Sequence, residues 1–533
     1  MAEAPKMKMA EWFLSGQPGC NSYESESTPL SWAYATGVDT RFPGVTQLAP
    51  LITALDFTAQ HDNATNTRAI AFTEGITTDT AELGVFACGR RLVAVRLDTR
   101  VVTSTASAAA FSSAVTDLEV TKNKAGTHEL SACLESNIYQ VLTAFDVATT
   151  TYTASANNES IINRFISKGD SYEADGQVFG LGQTSSIENT IRHNVLTGTV
   201  AMDASAWATR ATIGGPNITF TGFALDGPFA IIGTNYGPYK FNNDHQVFQP
   251  MLPELLGSPS TNNCKGMRAW SKLGVVIPLE RETRLSSGLE SKSIGVERFP
   301  TNLSPVYGRV TAQGYSEQWG IWNYYNPVAD QSYLCWVRPR QPWEYHSNPV
   351  SIFPMLALDA GVECEAIEWA AKKGGTTNDT WYVGLDNDAG WMIEGRHFYG
   401  PSDTNCTYAA SGTIYLSALT RSPGTDKQVK HITFETDGCS STETITPTIT
   451  WSDKFGQAQS VALPAINSDG FHIITITDEK MVNNESFALE LAFARGGTTT
   501  NTPRIVRRRR QSDIQVWYTE TPARDRNGRI LPV

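Results

Sequence analysis

Apolar and polar residues alternate over short runs along most of this chain, and the runs end at Gly, Asn, Asp or Pro. Four to eight β-branched and aromatic residues bounded by turn formers predict antiparallel strands and hairpins. Seven runs stand out as middle strands: LGVFACG from Leu83, ELSACLE from Glu129, GQVFGLG from Gly176, PFAIIGT from Pro228, LGVVIP from Leu273, QWGIWN from Gln318 and TWYVGL from Thr380. They recur every 45 to 52 residues, except that the Pro-rich WVRPRQPWEYHSNP stretches the last interval to 62. A preceding strand is visible in DLEV, ITFTGFA, MRAW and EAIEW, and a following one in RLVAV, NIYQV and GWMIE. One such unit cannot bury both of its faces, so it needs neighbours of its own kind. The spacing is close to the ~40–50 residues of a four-stranded propeller blade, and seven units fit a closed ring. Residues 46–410 are therefore expected to form an about seven-bladed β-propeller. The alternative is a large irregular β-sandwich, because the repeats share a rhythm and no fixed motif.

From Ser411 the rhythm changes. Phe487, Leu489, Leu491 and Phe493 fall on one side of a longer strand, with Ala488, Glu490 and Ala492 on the other. Ile445, Ile449 and Trp451 repeat this alternation, as do Ile514, Val516 and Tyr518. One apolar face per strand predicts two packed antiparallel sheets, an antiparallel β-sandwich over 411–520. Residues 1–45 lack periodicity and are rich in Ser, Gly, Pro and acidic residues, ending in GVDTRFPG. They read as an N-terminal extended arm, and 521–533 as a polar C-terminal tail. The fold class expected is all-β throughout.

Composition narrows the function classes. The net charge of -12 disfavours broad binding to nucleic-acid phosphate, so no specific nucleic-acid partner is expected. No apolar run approaches the ~20 residues of a transmembrane helix, which leaves no expectation of membrane insertion. MAEAPKMKMAEWFLSG carries neither the charge pattern nor the cleavage site of an export signal, so synthesis in a cytoplasm is expected. The eight Cys contain no C-x-x-C and no zinc-type spacing, and buried free thiols are the expectation.

Few residues carry recognisable chemistry. GYSEQW at Gly314 lacks the second Gly of a nucleophile elbow, and neither a phosphate-binding Gly-rich loop nor H-E-x-x-H occurs. No catalytic residue, cofactor or metal site is expected, although sequence cannot show which Asp and Glu meet across a ring. Asp386 and Asp388 in LDNDAGW resemble part of a calcium loop but equally suit a hairpin turn. Trp319, Trp322, Tyr324, Tyr325, Tyr333, Trp336 and Trp343 form the densest aromatic group. Most should pack between strands, while Tyr324 and Tyr325, read as turn residues, are the candidates for stacking on a glycan. The run RIVRRRR places Arg507, Arg508, Arg509 and Arg510 together. It reads either as an electrostatic seam to an acidic partner or as a charged edge strand that blocks aggregation.

Across residues 260–520 the order of elements resembles a group of tailed-bacteriophage virion proteins with a β-propeller and a C-terminal β-sandwich. The resemblance rests on LSPVYGRVTA, the Trp- and Tyr-rich unit, ECEAIEWAAKKGGTTNDTWYVGLDNDAGW, and SGTIYLSAL leading into the sandwich. It implies a non-enzymatic structural protein of a virion tail, tail tip or fibre apparatus, acting in assembly or host attachment. Its partners would be other virion tail proteins and symmetric copies of itself, with a host surface glycan or protein as a further target. A neck or nozzle (head–tail connector) component is one alternative, and a glycan-binding or glycan-degrading propeller is another.

Overall fold

The computed structural model describes residues 7–14, 32–57, 67–72, 83–96, 102–104, 111–122, 128–135, 139–146, 151–154, 164–168, 177–183, 189–195, 207–213, 217–226, 229–242, 247–251, 259–270, 273–280, 282–286, 291–294, 300–301, 304–305, 309–316, 319–328, 330–339, 350–370, 380–386, 389–394, 407–416, 418–419, 425–452, 457–477, 486–507 and 512–522. Among them the regular structure is all-β, with antiparallel pairing and no α-helix.

Seven four-stranded sheets follow one another along the chain. Their first strands are Thr67–Phe72, Val115–Lys122, Phe165–Lys168, Phe220–Asp226, Arg268–Trp270, Arg309–Tyr315 and Cys364–Ala370, and we number the sheets 1 to 7 in that order. The seven runs picked out by hydrophobic pattern are the second strands, from Leu83–Cys88 in sheet 1 to Thr380–Leu385 in sheet 7. These strands are buried along their length where two β-sheets cover them, as in Gly274–Pro278 and Thr380–Leu385. First strands of consecutive sheets lie side by side, and that of sheet 7 returns to lie beside that of sheet 1. Sheet 7 takes its fourth strand from far upstream: Ile52–Asp56 pairs with Ala389–Glu394. In sheets 1, 2, 4, 6 and 7 the first strand carries a bulge near its start, at Arg68, Thr116, Thr221, Thr311 and Glu365. A bulge raises local twist and re-aims one side chain, which suits strands that must turn against their neighbours.

Two further sheets are built mainly from the C-terminal part. One has five strands in the order Trp32–Thr36, Ser411–Leu416, Phe487–Ala494, Thr444–Ser452, Ala458–Ala462. The other has seven: Met7–Trp12, Ile514–Pro522, Thr425–Asp437, Arg504–Val506, Val45–Leu48 and Val38–Asp39, with Gly470–Thr475 on the far edge of Thr425–Asp437. Phe487, Leu489, Leu491 and Phe493 of the first and Ile432, Phe434, Ile514, Val516 and Tyr518 of the second are buried in one shared core. That core continues into sheets 6 and 7 through Trp319, Trp336, Phe353, Trp381 and Leu385, so the C-terminal sheets are fused to their neighbours.

The expected N-terminal arm departs from this structure. Residues 1–45 supply Met7–Trp12, Trp32–Thr36 and Val38–Asp39, each completing a sheet with strands from beyond residue 400 or with Val45–Leu48. MKMAEW gives no one-faced pattern, because Ala10 and Trp12 point to the core while Met7 and Met9 are exposed, and an added edge strand needs little more. The expected tail lies outside the described residues from 523 onward.

Candidate functional site

Tyr324 is not a surface residue. It lies within Gly320–Asn326, a strand and not a turn, and packs in the core of sheets 5 and 6 with Trp270, Trp322 and Tyr333. Period-2 alternation decides this: Trp322 and Tyr324 share one buried face, and Tyr325 points the other way. Trp319 and Trp336 are also buried, and Trp343 lies outside the described residues. Tyr325 is half-buried, and its hydroxyl donates to Asp330 Oδ1 at 2.9 Å. The Arg309 guanidinium stands 4.7 Å from its ring centroid and occupies one face of the ring.

Around Tyr325 the first strands gather charge. Arg309 reaches Glu363 at 3.7 Å, and Lys265 bonds Glu365 at 3.1 Å. Glu365 is the bulge residue of sheet 7, which turns its carboxylate towards the Lys. The Glu363 N–H donates to Asp386 Oδ1 at 2.9 Å, and the Asp386 N–H donates to Glu363 O at 3.1 Å. This reciprocal clasp is what the LDNDAGW turn does with Asp386, while Asp388 lies outside the described residues. Burial raises the pKa of both carboxyls, opposed by Lys265 and Arg309 at Glu363 and by the Glu363 N–H at Asp386.

Deeper along the same strands Arg268 of sheet 5 forms an ion pair with Glu368 of sheet 7. Burial works to lower the Arg268 pKa, and the Glu368 carboxylate outweighs it, with Asp117 and Glu119 of sheet 2 adding to the rise. Burial raises Glu368, with Arg268 opposing. Residues of sheets 2, 5 and 7 thus share one electrostatic environment across the inner strands. Beside them Tyr315 stacks on Trp270 at 4.4 Å, accepts from Trp322 Nε1 at 2.7 Å and donates to Gln313. Gln313 Nε2 in turn donates to the Gly266 carbonyl at 2.7 Å. Tyr315 of GYSEQW is therefore part of a packed hydrogen-bond network, while Glu317 and Gln318 lie outside the described residues. No group of three or more His, Cys, Asp and Glu among the described residues is placed to hold a metal ion.

Arg507 is engaged within the chain. Its Nε lies 3.9 Å from Asp513 Oδ1, its guanidinium 5.7 Å from the Phe13 ring, and its N–H donates to Gly44 O at 2.8 Å. It joins the N-terminal strands to the C-terminal ones. Arg508, Arg509 and Arg510 lie outside the described residues.

The residues missed by sequence reading are in GVDTRFPG. Arg41 donates from Nε and Nη2 to the two oxygens of Asp39, at 2.9 and 2.7 Å, with both side chains at most 2 % exposed. Its guanidinium lies 4.0 Å from the Trp336 centroid and 5.3 Å from Trp319, so aromatic faces complete its surroundings. Gly37 has φ +65°, donates its N–H to Met355 O and accepts from the Ala49 N–H at 2.8 Å. This turn locks sheet 6 to both C-terminal sheets. An Asp and an Arg two apart in a Gly- and Pro-bounded turn was the available signal.

No family model matches the chain, and no curated protein matches it. Among solved structures, it is similar to the extracellular domain of a hybrid two-component system from B. thetaiotaomicron, at 9 % identity and a TM-score of 0.43, over 81 % of this chain and 62 % of that one. A second, titled as a one-component system of the same species, aligns at 10 % identity and 0.42, over 87 % and 61 %. The chain spans about three fifths of the length of those domains.

Proposed function

We propose that the seven sheets close into a seven-bladed β-propeller, with the two C-terminal sheets packed on it as a β-sandwich. We further propose that this body is a non-enzymatic structural and interaction protein of a bacteriophage virion, in the tail, tail tip or fibre apparatus. The observation that carries the reading is the pairing of Ile52–Asp56 with Ala389–Glu394, which completes the last unit with a strand that precedes the first in the chain. A ring fastened in this way, and tied to the sandwich by Asp39 and Arg41, is a stiff platform whose loops present contact surfaces. The resemblance of residues 260–520 to phage virion proteins supplies the setting.

Within the neck reading, the inner strands pair Arg268 of sheet 5 with Glu368 of sheet 7, so the wall there is mixed in charge and differs from the acidic lining that would let DNA slide. The glycan reading is favoured by one feature, the grouping of Tyr325 with Asp330, Glu363 and Asp386 at the ends of the inner strands. No helix among the described residues is long and apolar enough to cross a membrane, which leaves strand-built spans unaddressed.

The test is immunogold electron microscopy of intact particles with antibody raised against the full chain. Residues 411–520 alone would lack Met7–Trp12 and Trp32–Thr36 and make a poor immunogen. Label at the distal tail is the expected result, and label at the neck moves the connector reading forward. Absence of the protein from purified particles overturns the virion assignment.

A further inference from the structure

Five large hydrophobic side chains are exposed among the described residues: Met7 at 51 %, Met9 at 40 %, Val328 at 83 %, Phe471 at 46 % and Ile473 at 62 %. Four of them lie on two strands of one sheet, Met7–Trp12 and Gly470–Thr475. These are the outermost strands of the run Met7–Trp12, Ile514–Pro522, Thr425–Asp437, Gly470–Thr475. No described strand lies beyond either one.

Register places all four on the same face. Residues directly opposite in an antiparallel pair share a face. Glu11 faces Gln515, Gln515 faces Thr433, and Thr433 faces Ile473. Stepping by two residues adds Met7, Met9 and Phe471 to that row. The opposite row, Ala10, Val516, Ile432 and Ile474, packs into the core. Both open edges of the sheet therefore end in an apolar pair spaced two residues apart on its outer face.

Edge strands of monomers are ordinarily protected by charge, Pro or a bulge. Gly470–Thr475, GFHIIT, has no charged residue. On the other edge Lys8 is ion-paired with Glu520, and Glu11 accepts from Ser512 and Gln515, so both charges are engaged within the chain. Three antiparallel steps separate the two edges, so they run in opposite directions. A second copy with its Met7–Trp12 beside Gly470–Thr475 continues the alternation without a break.

We propose that copies of this chain associate head to tail, Gly470–Thr475 of one pairing antiparallel with Met7–Trp12 of the next, so that Phe471 and Ile473 pack against the next copy's Met7 and Met9. The occupant is a second copy because the two edges match each other in chemistry, face and direction. Such an interface is heterologous, closing into a ring or running on as a filament. A six-residue pairing is weak alone and gains from closure of the ring. The proposal stands on the sheet edges and does not depend on the virion reading.

Purified full-length chain is studied by sedimentation velocity over a hundredfold concentration range, with two variants: M7K/M9K, which blocks one edge, and F471K/I473K, which blocks the other. A third, F471T/I473T, removes the apolar pair with residues that favour strands, and circular dichroism checks folding. Wild type should form species larger than a dimer, and each variant alone should be monomeric. An equimolar mixture of M7K/M9K with F471K/I473K should form a one-to-one dimer, because each keeps the edge the other lacks. A monomeric wild type overturns the proposal. So does a variant that still self-associates, which would mean pairing of one edge with itself, or a mixture that yields no dimer.

Discussion

The Asp39–Arg41 pair makes the sharpest stability prediction. Asp39→Ala removes the carboxylate and leaves a guanidinium 1 % exposed against Trp336 and Trp319. Three charge-assisted hydrogen bonds go, from Arg41 Nε, Nη2 and backbone N–H, and an uncompensated buried charge remains; breaking such pairs costs about 3–5 kcal/mol. Global unfolding of a chain this large is not a single two-state event, so the loss should be read locally. The Gly37 N–H, bonded to Met355 O, and the Ala49 N–H, bonded to Gly37 O, report opening of the turn by hydrogen exchange. A loss of about 4 kcal/mol speeds their exchange roughly a thousandfold. Replacing both partners, as Asp39→Leu with Arg41→Met, should restore most of the protection, because a well-packed apolar pair avoids the desolvation penalty. If Asp39→Ala exchanges within threefold of wild type at these amides, the turn does not hold sheet 6 to the C-terminal sheets.

Three other outcomes follow from local geometry. Gly37→Ala should destabilise by about 1–3 kcal/mol, because φ is +65° and an added Cβ would lie 2.5 Å from Ser411 O, whereas Gly497→Ala meets nothing within 4 Å and should stay within about 0.5 kcal/mol; hydrogen exchange of the Ala49 N–H, bonded to the carbonyl of residue 37, compares them. Burial raises the Glu490 pKa above its ordinary 4.5, so the folded state holds its proton to higher pH than the unfolded state and stability falls as pH rises through that window. Glu490→Gln should flatten this slope above pH 4.5, read from hydrogen exchange in Phe487–Ala494 after correction for the intrinsic pH dependence of exchange, and an unchanged slope would refute the assignment. Burial raises the Cys264 thiol to about 12 and the Cys439 thiol to about 11. With Cys88, Cys133, Cys335 and Cys364 also buried, brief alkylation at pH 8 should leave all six unlabelled by peptide mass spectrometry until urea is added.

Strand positions were legible because short continuous apolar runs such as TWYVGL and LGVVIP, bounded by turns of Gly, Asn and Asp, mark strands buried on both faces. The alternation from Phe487 to Phe493 was legible because that strand buries one face only. Pairing across the chain was not. Met7–Trp12 shows no one-faced alternation, since Met7 and Met9 lie on the face opposite Ala10 and Trp12, and its face is defined by Ile514–Pro522, about five hundred residues away. Tyr324 was misread because NYYN resembles a turn, although the strand continues through it to Asn326. The inner-strand charges were invisible as a group: Arg268, Glu368, Asp117 and Glu119 come from three sheets, and spacing along the chain carries no trace of their meeting.

The pairing of Met7–Trp12 with Ile514–Pro522 ties the proposed assembly to completion of the fold. Met7–Trp12 gains its place only by pairing with Ile514–Pro522, the last described strand, and Ile52–Asp56 completes sheet 7 only after Ala389–Glu394 exists. Contacts of such sequence separation form late, since their loop-closure entropy must be met before they stabilise anything. One apolar edge of the seven-stranded sheet is thus absent until Ile514–Pro522 has been made and folded. The other, Gly470–Thr475, needs only Thr425–Asp437. A head-to-tail contact requires both, so an incomplete chain could cap a growing assembly but could not extend it. Deleting residues 1–14 should convert the full chain from an assembler into a terminator: added to wild type it would shorten the oligomers in proportion to its share, and undiminished oligomers would refute the use of that edge.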